Sequence, residues 1–330
     1  MNNRRYAIIT PCRDEADFAR RTLESITKQT VPPALWVIVD DGSTDATPAI
    51  LKEFADQFPY IKIIRREDRG KRSVGPGVID AFYVGYETIN PNDFDYVCKL
   101  DLDLDIPPRY FETLMEKMEA NPRLGTCSGK PYYHDKTGKL VSEGCGNETS
   151  IGASKFYRRK CFQQIGGFVR QVMWDGIDCH RCRMLGWIAC SWDEPDIRFI
   201  HLRPMGSSHH GILHGRARHG FGQYFMGTSL PYMTASAVFR MTHPPYILGG
   251  AAMWWGFVKA MLKKDRRYDD LEFRTFLRRY QWACLFRGKR TATTRLNEMQ
   301  LSRWQHNNND ALQNSPRPTV NSAQSSAGMV

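Results

Sequence analysis

Four short apolar runs rich in β-branched residues, Tyr6 to Thr10, Leu35 to Val39, Ile61 to Ile64 and Tyr96 to Leu100, set the strongest limit on what this chain can fold into. Uniform apolarity, without alternation, marks strands buried on both faces, as parallel strands are. Between the first two runs Ala19, Leu23 and Ile26 recur at helical spacing, and after the second Ile50, Phe54 and Phe58 do the same. Thr47 and Pro48 stand where that second helix would be capped and opened. Strands alternating with helices predict an α/β fold, a mixed, mainly parallel sheet flanked by helices and wound with right-handed crossovers.

In such a sheet ligands bind beyond the carboxyl ends of the strands, and those positions are unusually acidic here. The first run leads into Pro11-Cys12-Arg13-Asp14-Glu15, the second into Asp40-Asp41-Gly42-Ser43-Thr44-Asp45, and the fourth into Asp101-Leu102-Asp103. Carboxylates gathered at three strand ends repel one another unless cations or hydrogen-bond donors lie between them. On a strand, Asp101 and Asp103 would share one side and reach a single Mg²⁺ or Mn²⁺ that also holds a diphosphate. No G-x-G-x-x-G follows the first run and no G-x-x-x-x-G-K-[ST] occurs, which counts against dinucleotide oxidoreductases and P-loop NTPases.

The 330 residues, 42% of them hydrophobic, suffice for one large domain with an appendage. Met1 to Arg5 is polar with no apolar leader, and nine cysteines lack disulfide or zinc-finger spacing, so reduced thiols in the cytoplasm are expected. The net charge of +11 calls for an anionic partner, whether nucleic acid, acidic lipid or a phosphorylated substrate. The excess is regional. Asp and Glu are frequent up to about residue 120, whereas Arg, Lys and His dominate from Arg198 onward. Acidic strand ends do not suit a polyanion groove, so no nucleic-acid partner is expected.

The run Ile8 to Glu15, the run Val37 to Asp45 and Lys99-Leu100-Asp101-Leu102-Asp103 together resemble the family 2 glycosyltransferases of GT-A fold, over roughly residues 5 to 205. The resemblance implies nucleotide-sugar binding by Thr10, Pro11, Arg13, Glu15, Asp40, Asp41, Ser43 and Asp101. It also implies a divalent metal, Mn or Mg, held by Asp101 and Asp103 against the donor diphosphate. His201, closing the run Ile197 to Ile200, resembles the late metal or diphosphate ligand of several such enzymes. Lys71, with Arg69 and Arg72 among glycines, is a further candidate for the nucleotide diphosphate.

Gly152 to Arg159 and Ile165 to Phe168 resemble the acceptor-side segment of the family, and Trp174-Asp175-Gly176-Ile177-Asp178 follows. Aligning Arg181 and Gly186 with the family pattern places the general base at Asp175. Trp174 stands where the family usually has Glu, and Asp178 is a rival carboxylate one helical turn later. An inverting transfer needs such a carboxylate to take the proton of the attacking hydroxyl.

The expected organisation is a catalytic domain over 1–205, with a nucleotide-sugar half to about 105 and an acceptor half over 106–205. A Gly-, His- and Arg-rich active-site loop follows over 206–240, carrying His209, His210, His214, Arg216, Arg218 and His219 as a lid over a diphosphate. Residues 241–300 read as an amphipathic helical extension. Trp254, Trp255 and Lys263 to Arg267 suit a lipid surface, and the apolar stretch from Tyr246 is too short to span one. The tail over 301–330 is expected to be disordered.

The function expected is a metal-dependent, inverting glycosyltransferase at the cytoplasmic face of a membrane. It would move sugar from a nucleotide-sugar to a lipid-linked or glycan acceptor in surface polysaccharide or glycolipid synthesis. The alternatives are a basic protein that binds nucleic acid or anionic membrane without turnover, and an inactive scaffold of the same fold.

Overall fold

The computed structural model describes residues 4–68, 70, 75–203 and 211–313, with side chains to Asn308. The chain opens with β1 (Tyr6–Cys12), α1 (Ala16–Thr27), β2 (Leu35–Asp40), α2 (Thr47–Gln57), β3 (Ile61–Arg65) and α3 (Pro76–Tyr86). It continues through β4 (Tyr96–Leu100), β5 (Leu104–Asp105), α4 (Tyr110–Ala120), β6 (Leu124–Ser128), β7 (Pro131–His134) and β8 (Leu140–Ser142). Then come β9 (Ser154–Arg158), α5 (Arg159–Gln164), α6 (Trp174–Met184), β10 (Ile188–Ser191) and β11 (Phe199–His201). All four expected strands form.

The main sheet runs β10-β6-β9-β4-β1-β2-β3 and a smaller one β5-β11-β7-β8. β1 lies parallel to β2 and β4, β2 parallel to β3, and β9 alone runs antiparallel in the main sheet, between β4 and β6. Both faces are covered, which explains the uniform apolarity of the runs. Ile8 and Ile38 pack with Leu23, Ile26 and Phe111 on one face, while Ile9, Val37 and Val39 pack with Phe82, Phe162 and Trp187 on the other. Each such side chain contributes on the order of 1.5–3 kcal/mol by leaving water.

Two local expectations are corrected. Thr47 is not the cap of α2; its hydroxyl accepts from the Glu15 backbone N–H at 2.8 Å, and Asp45 receives the Thr47 N–H at 2.9 Å. That bond ties the start of α2 to the loop after β1. Asp101 and Asp103 do not lie on a strand either, because β4 ends at Leu100 and the chain bends before β5.

The C-terminal region is helical: α7 (Ile212–Met226), α8 (Leu230–Met241), α9 (Leu248–Leu262), α10 (Leu271–Arg287), α11 (Lys289–Met299) and α12 (Leu301–Gln313). The segment read as a glycine-rich lid is therefore an α-helix from Ile212 onward, and its glycines serve packing. Gly220 lies against the Met253 carbonyl and Gly256 against the Ala217 carbonyl, so α7 and α9 cross at backbone contact. His209 and His210 lie outside the described residues. The expected disorder from residue 301 is likewise overturned up to Gln313. Trp304 stacks edge-on against Trp187 at 5.9 Å, which anchors α12 to the α/β part of the chain.

Gly256→Val would force a branched side chain into the Ala217 carbonyl. The expected loss is about 1–3 kcal/mol, visible as a lower midpoint in chemical denaturation. A wild-type midpoint would mean that the two helices separate without cost.

Candidate active site

At the carboxyl ends of β1 and β2 the backbone is drawn tight. Arg13 donates to the Asp41 carbonyl at 3.2 Å and to Asp68 Oδ1 at 2.6 Å, and Ser43 Oγ accepts the Asp14 N–H at 2.9 Å. Gly42 has φ +78° and passes so near the Asp68 backbone that a Cβ would meet it at 2.5 Å. Asp40 is fully buried. Its Oδ1 accepts the Ser43 N–H at 2.8 Å, while Oδ2, with the Arg65 Nε at 3.7 Å, has no hydrogen-bond partner. A buried acceptor left open in this way suits an N–H or hydroxyl donor from a ligand.

Thr10 differs from its neighbours, since its hydroxyl receives the Trp36 indole N–H at 2.9 Å inside the core. Thr10 and Ser43 thus spend their side chains on the fold, and Pro11 is buried beside them. Arg13, Glu15, Asp40 and Asp41 remain gathered at the carboxyl ends of β1 and β2. Lys71, with Arg69 and Arg72, lies outside the described residues.

The bend after β4 brings together charges that the sequence placed far apart. Lys99, buried on β4, donates to Asp101 Oδ1 and to the Gly152 carbonyl, the latter at 3.0 Å. Arg203 donates to Glu15 Oε1 at 2.7 Å and pairs through Nε with Asp103 Oδ2 at 2.9 Å. One guanidinium thus joins the loop after β1 to the bend after β4. Burial pushes the Asp101 carboxyl up; Lys99 opposes the rise and Asp103 adds to it. β11 pairs antiparallel with β5, His201 opposite Leu104, which sets His201 next to Asp103 along the chain register. The His201 Nδ1 bonds Glu143 Oε2 at 2.9 Å.

Trp174 opens α6, and its ring lies near two ammonium groups that come from the cross-strand pair Lys99 and Lys155, with Lys99 Nζ at 5.1 Å and Lys155 Nζ at 5.7 Å from the centroid. The departure from the family's usual Glu is therefore a cation–π platform. Asp175, next in the helix, is half-buried and lies over Gly152, where a Cβ would meet its Oδ2 at 2.8 Å. The Gly152 turn thus carries Asp175 on one side and, through Lys99, Asp101 on the other.

Asp178 is placed quite differently, at 1% exposure. Its carboxylate is taken by the Lys155 ammonium and the Tyr157 hydroxyl, and the Cys179 N–H bonds its other oxygen at 2.5 Å. Burial alone would push Lys155 down, but Asp178 outweighs it and keeps the ammonium charged. A carboxylate so enclosed belongs to the interior of the fold, and the geometry leaves Asp175 as the accessible one of the pair.

Lys99, Glu143, Lys155 and Arg203 were not anticipated from the sequence. Lys99 carried a usable signal, a lone cation inside an otherwise apolar run, since such charges persist only when paired.

The family profile described as glycosyl transferase family 2 matches residues 7–174. The chain is 27% identical over 135 residues to the poly-beta-1,6-N-acetyl-D-glucosamine synthase of Staphylococcus epidermidis, covering 41% of this chain and 30% of that protein. It is 25% identical over 162 residues to the beta-monoglucosyldiacylglycerol synthase of Synechocystis sp., covering 44% and 32%. The chain therefore matches about a third of the length of these relatives. Among solved structures it superposes on GalNAc-T7, crystallised with UDP, GalNAc and Mn²⁺, with a TM-score of 0.56 and 13% identity over 87% of this chain and 58% of that one. That likeness concerns the fold. With the profile match spanning half the chain, this protein belongs to glycosyltransferase family 2 and has mixed α/β, GT-A architecture.

Proposed function

We propose that the protein transfers a sugar, with inversion, from a nucleotide-sugar to a lipid-linked or polysaccharide acceptor. The observation that carries this reading is the Gly152 turn, which sets the accessible carboxylate of Asp175 against the Lys99–Asp101 pair. Asp175 takes the proton of the acceptor hydroxyl as it attacks the anomeric carbon. Asp40, Asp41, Arg13 and Glu15 hold the nucleotide, the open Oδ2 of Asp40 accepting from base or ribose.

A divalent cation fits the donor set. Among the described residues no three His, Cys, Asp or Glu side chains stand ready to hold an ion alone. Mg²⁺ and Mn²⁺ sites on diphosphates commonly use only one or two carboxylates, the phosphates and water completing the shell. Asp101 and Asp103 would provide those two oxygens. His201, oriented by Glu143, stands beside them in the manner of a supported imidazole ligand. When bound, the ion supplies charge to neutralise the departing diphosphate.

Peripheral attachment at the cytoplasmic face of a membrane accords with the outer faces of the C-terminal helices. Phe239, Leu248, Trp255, Leu262 and Phe286 are exposed there beside Lys259, Lys263 and Lys264. Among the described residues no helix is long and apolar enough to cross a bilayer. All nine cysteines are free, in agreement with a reducing compartment. The two relatives named above, a polysaccharide synthase and a glycolipid synthase, point to the same two acceptor classes. A binder without turnover, conceivable from charge alone, gives way to the family assignment.

Thermal denaturation with UDP, GDP, dTDP and CMP compounds, with and without Mn²⁺, tests the donor side. One nucleotide with Mn²⁺ is expected to raise the melting temperature by about 5 °C, as follows from about 2–3 kcal/mol at a hundredfold excess over Kd. Asp103→Ala should remove the Mn²⁺-dependent part. A shift of equal size without metal, or in Asp103→Ala, would refute the metal assignment.

A further inference from the structure

Both carboxylates of Asp101-Leu102-Asp103 are met by a cation of the chain itself, and the two cations are held in different ways. Lys99 reaches Asp101 from within β4, is 2% exposed, and has the Gly152 carbonyl as its second acceptor. Arg203 stands just after β11 with 23% of its side chain in solvent. Its Nε lies 2.9 Å from Asp103 Oδ2, and its Nη2 donates to Glu15 Oε1 at 2.7 Å. The guanidinium also lies over the Phe18 ring, 5.4 Å from the centroid.

Rigid elements place this group. The Leu202 N–H donates to the Asp103 carbonyl at 2.9 Å, so the chain is fastened to the bend one residue before Arg203. The bend is fastened in turn to α1, because the Thr22 hydroxyl donates to the Leu102 carbonyl and accepts the Leu104 N–H, both at 2.9 Å. Phe18 stands one turn earlier on α1, and Glu15 immediately precedes that helix. The three segments that meet at Arg203 are therefore already joined without it, and what Arg203 adds is charge. The Asp103 and Glu15 side chains are only 10% and 5% exposed, and two carboxylates gathered so deep repel unless a cation lies between them.

We propose that Arg203 is the built-in counter-cation of the metal site: its guanidinium holds Asp103 in the absence of an ion and competes with a divalent ion for that carboxylate. The proposal rests on the reading of Asp101 and Asp103 as metal ligands. Whichever Asp103 oxygen an ion used, the guanidinium beside the same carboxylate would repel it, so Arg203 holds the affinity for a bare ion down. Lys99 is enclosed in the sheet and keeps its charge next to Asp101 throughout. Arg203, partly in solvent, can turn away with its charge hydrated. The same guanidinium holds Glu15 of the proposed nucleotide set, so its release from Asp103 alters both parts of the donor site together.

The test is titration of the full chain with Mn²⁺ alone at constant ionic strength, followed by the electron paramagnetic resonance signal of free aquated Mn²⁺. Arg203→Gln is expected to bind Mn²⁺ at least about fivefold more tightly than wild type, the upper range for a partly exposed ion pair. Arg203→Lys, which keeps the charge, should stay closer to wild type than to Arg203→Gln. Adding Asp103→Asn to Arg203→Gln should abolish the gain. Arg21→Gln removes the same charge from the neighbouring pair with Asp105 and should titrate like wild type. Melting curves accompany each variant, and if Arg203→Gln folds poorly Arg203→Met takes its place with the same expectation.

Mn²⁺ bound by Arg203→Gln no more tightly than by wild type overturns the competition and leaves the metal assignment standing. An equal gain in Arg21→Gln overturns it too, since general charge would then be the cause. Mn²⁺ bound by neither wild type nor any variant overturns the competition together with the metal assignment, whereas binding in Arg203→Gln alone is the strongest support for both.

Discussion

Asp175→Asn is expected to lower sugar transfer by about 10²–10⁴-fold, the usual contribution of a positioned general base. The melting temperature and the nucleotide affinity should stay close to wild type. The physical reason is that the fold holds Asp175 by its backbone: Lys155 Nζ donates to the Asp175 carbonyl at 2.7 Å, and an amide side chain leaves that bond intact. The exchanged atoms face the Gly152 turn, and the side chain is only half-buried, so Asn can be solvated there. Steady-state transfer, nucleotide binding and a melting curve on the same preparation separate the outcomes. Transfer retained within a few-fold would remove Asp175 from the chemistry, and a large drop in melting temperature would recast it as a structural carboxylate.

Much of the N-terminal half of the sheet was legible because a parallel sheet covered on both faces imprints itself as unbroken apolar runs. β1 to β4 formed where such runs stood, and the acidic residues after them came together at one sheet edge as an α/β fold requires. The part of the sheet that follows β5 was harder to read for a physical reason. β6 reads Leu-Gly-Thr-Cys-Ser and β9 reads Ser-Lys-Phe-Tyr-Arg, so burial there depends on tertiary pairing, as with Lys155 against Asp178. Local pattern does not carry that information.

α7 was misread for the opposite reason. Gly215, Gly220 and Gly222 lower helix propensity, and only the close passage of α9, a helix well separated from α7 along the chain, explains why Gly220 is needed there. The bridging of Glu15 and Asp103 by Arg203 was equally hidden, since nothing near Arg203 in the sequence points back to the loop after β1. Asp175 and Asp178 illustrate the limit most sharply. They are three residues apart, alike in chemistry, and separated in role only by which side of α6 faces the interior.

Lys155→Met is expected to destabilise the protein by about 3–5 kcal/mol, the cost of leaving a buried carboxylate unpaired. At this size that corresponds to a melting temperature lower by about 10 °C. Asp178, at 1% exposure, would keep the Tyr157 hydroxyl and the Cys179 N–H but lose its counter-charge. Trp174 would lose one of the two cations near its ring, and the Asp175 carbonyl would lose its donor. Asp178→Leu alone should cost a similar amount by stranding Lys155. Combined with Lys155→Met it should recover a large part of the loss, because two apolar side chains replace an ion pair without orphaning either partner. The double-mutant cycle therefore distinguishes a structural pair from a catalytic one. If Lys155→Met melts like wild type yet transfers no sugar, the Lys155–Asp178 pair acts in the chemistry, and Asp178 regains its place as a candidate base. A deep drop in stability, partly restored in the double variant, fixes the pair as the interior support on which α6 presents Asp175 to the acceptor.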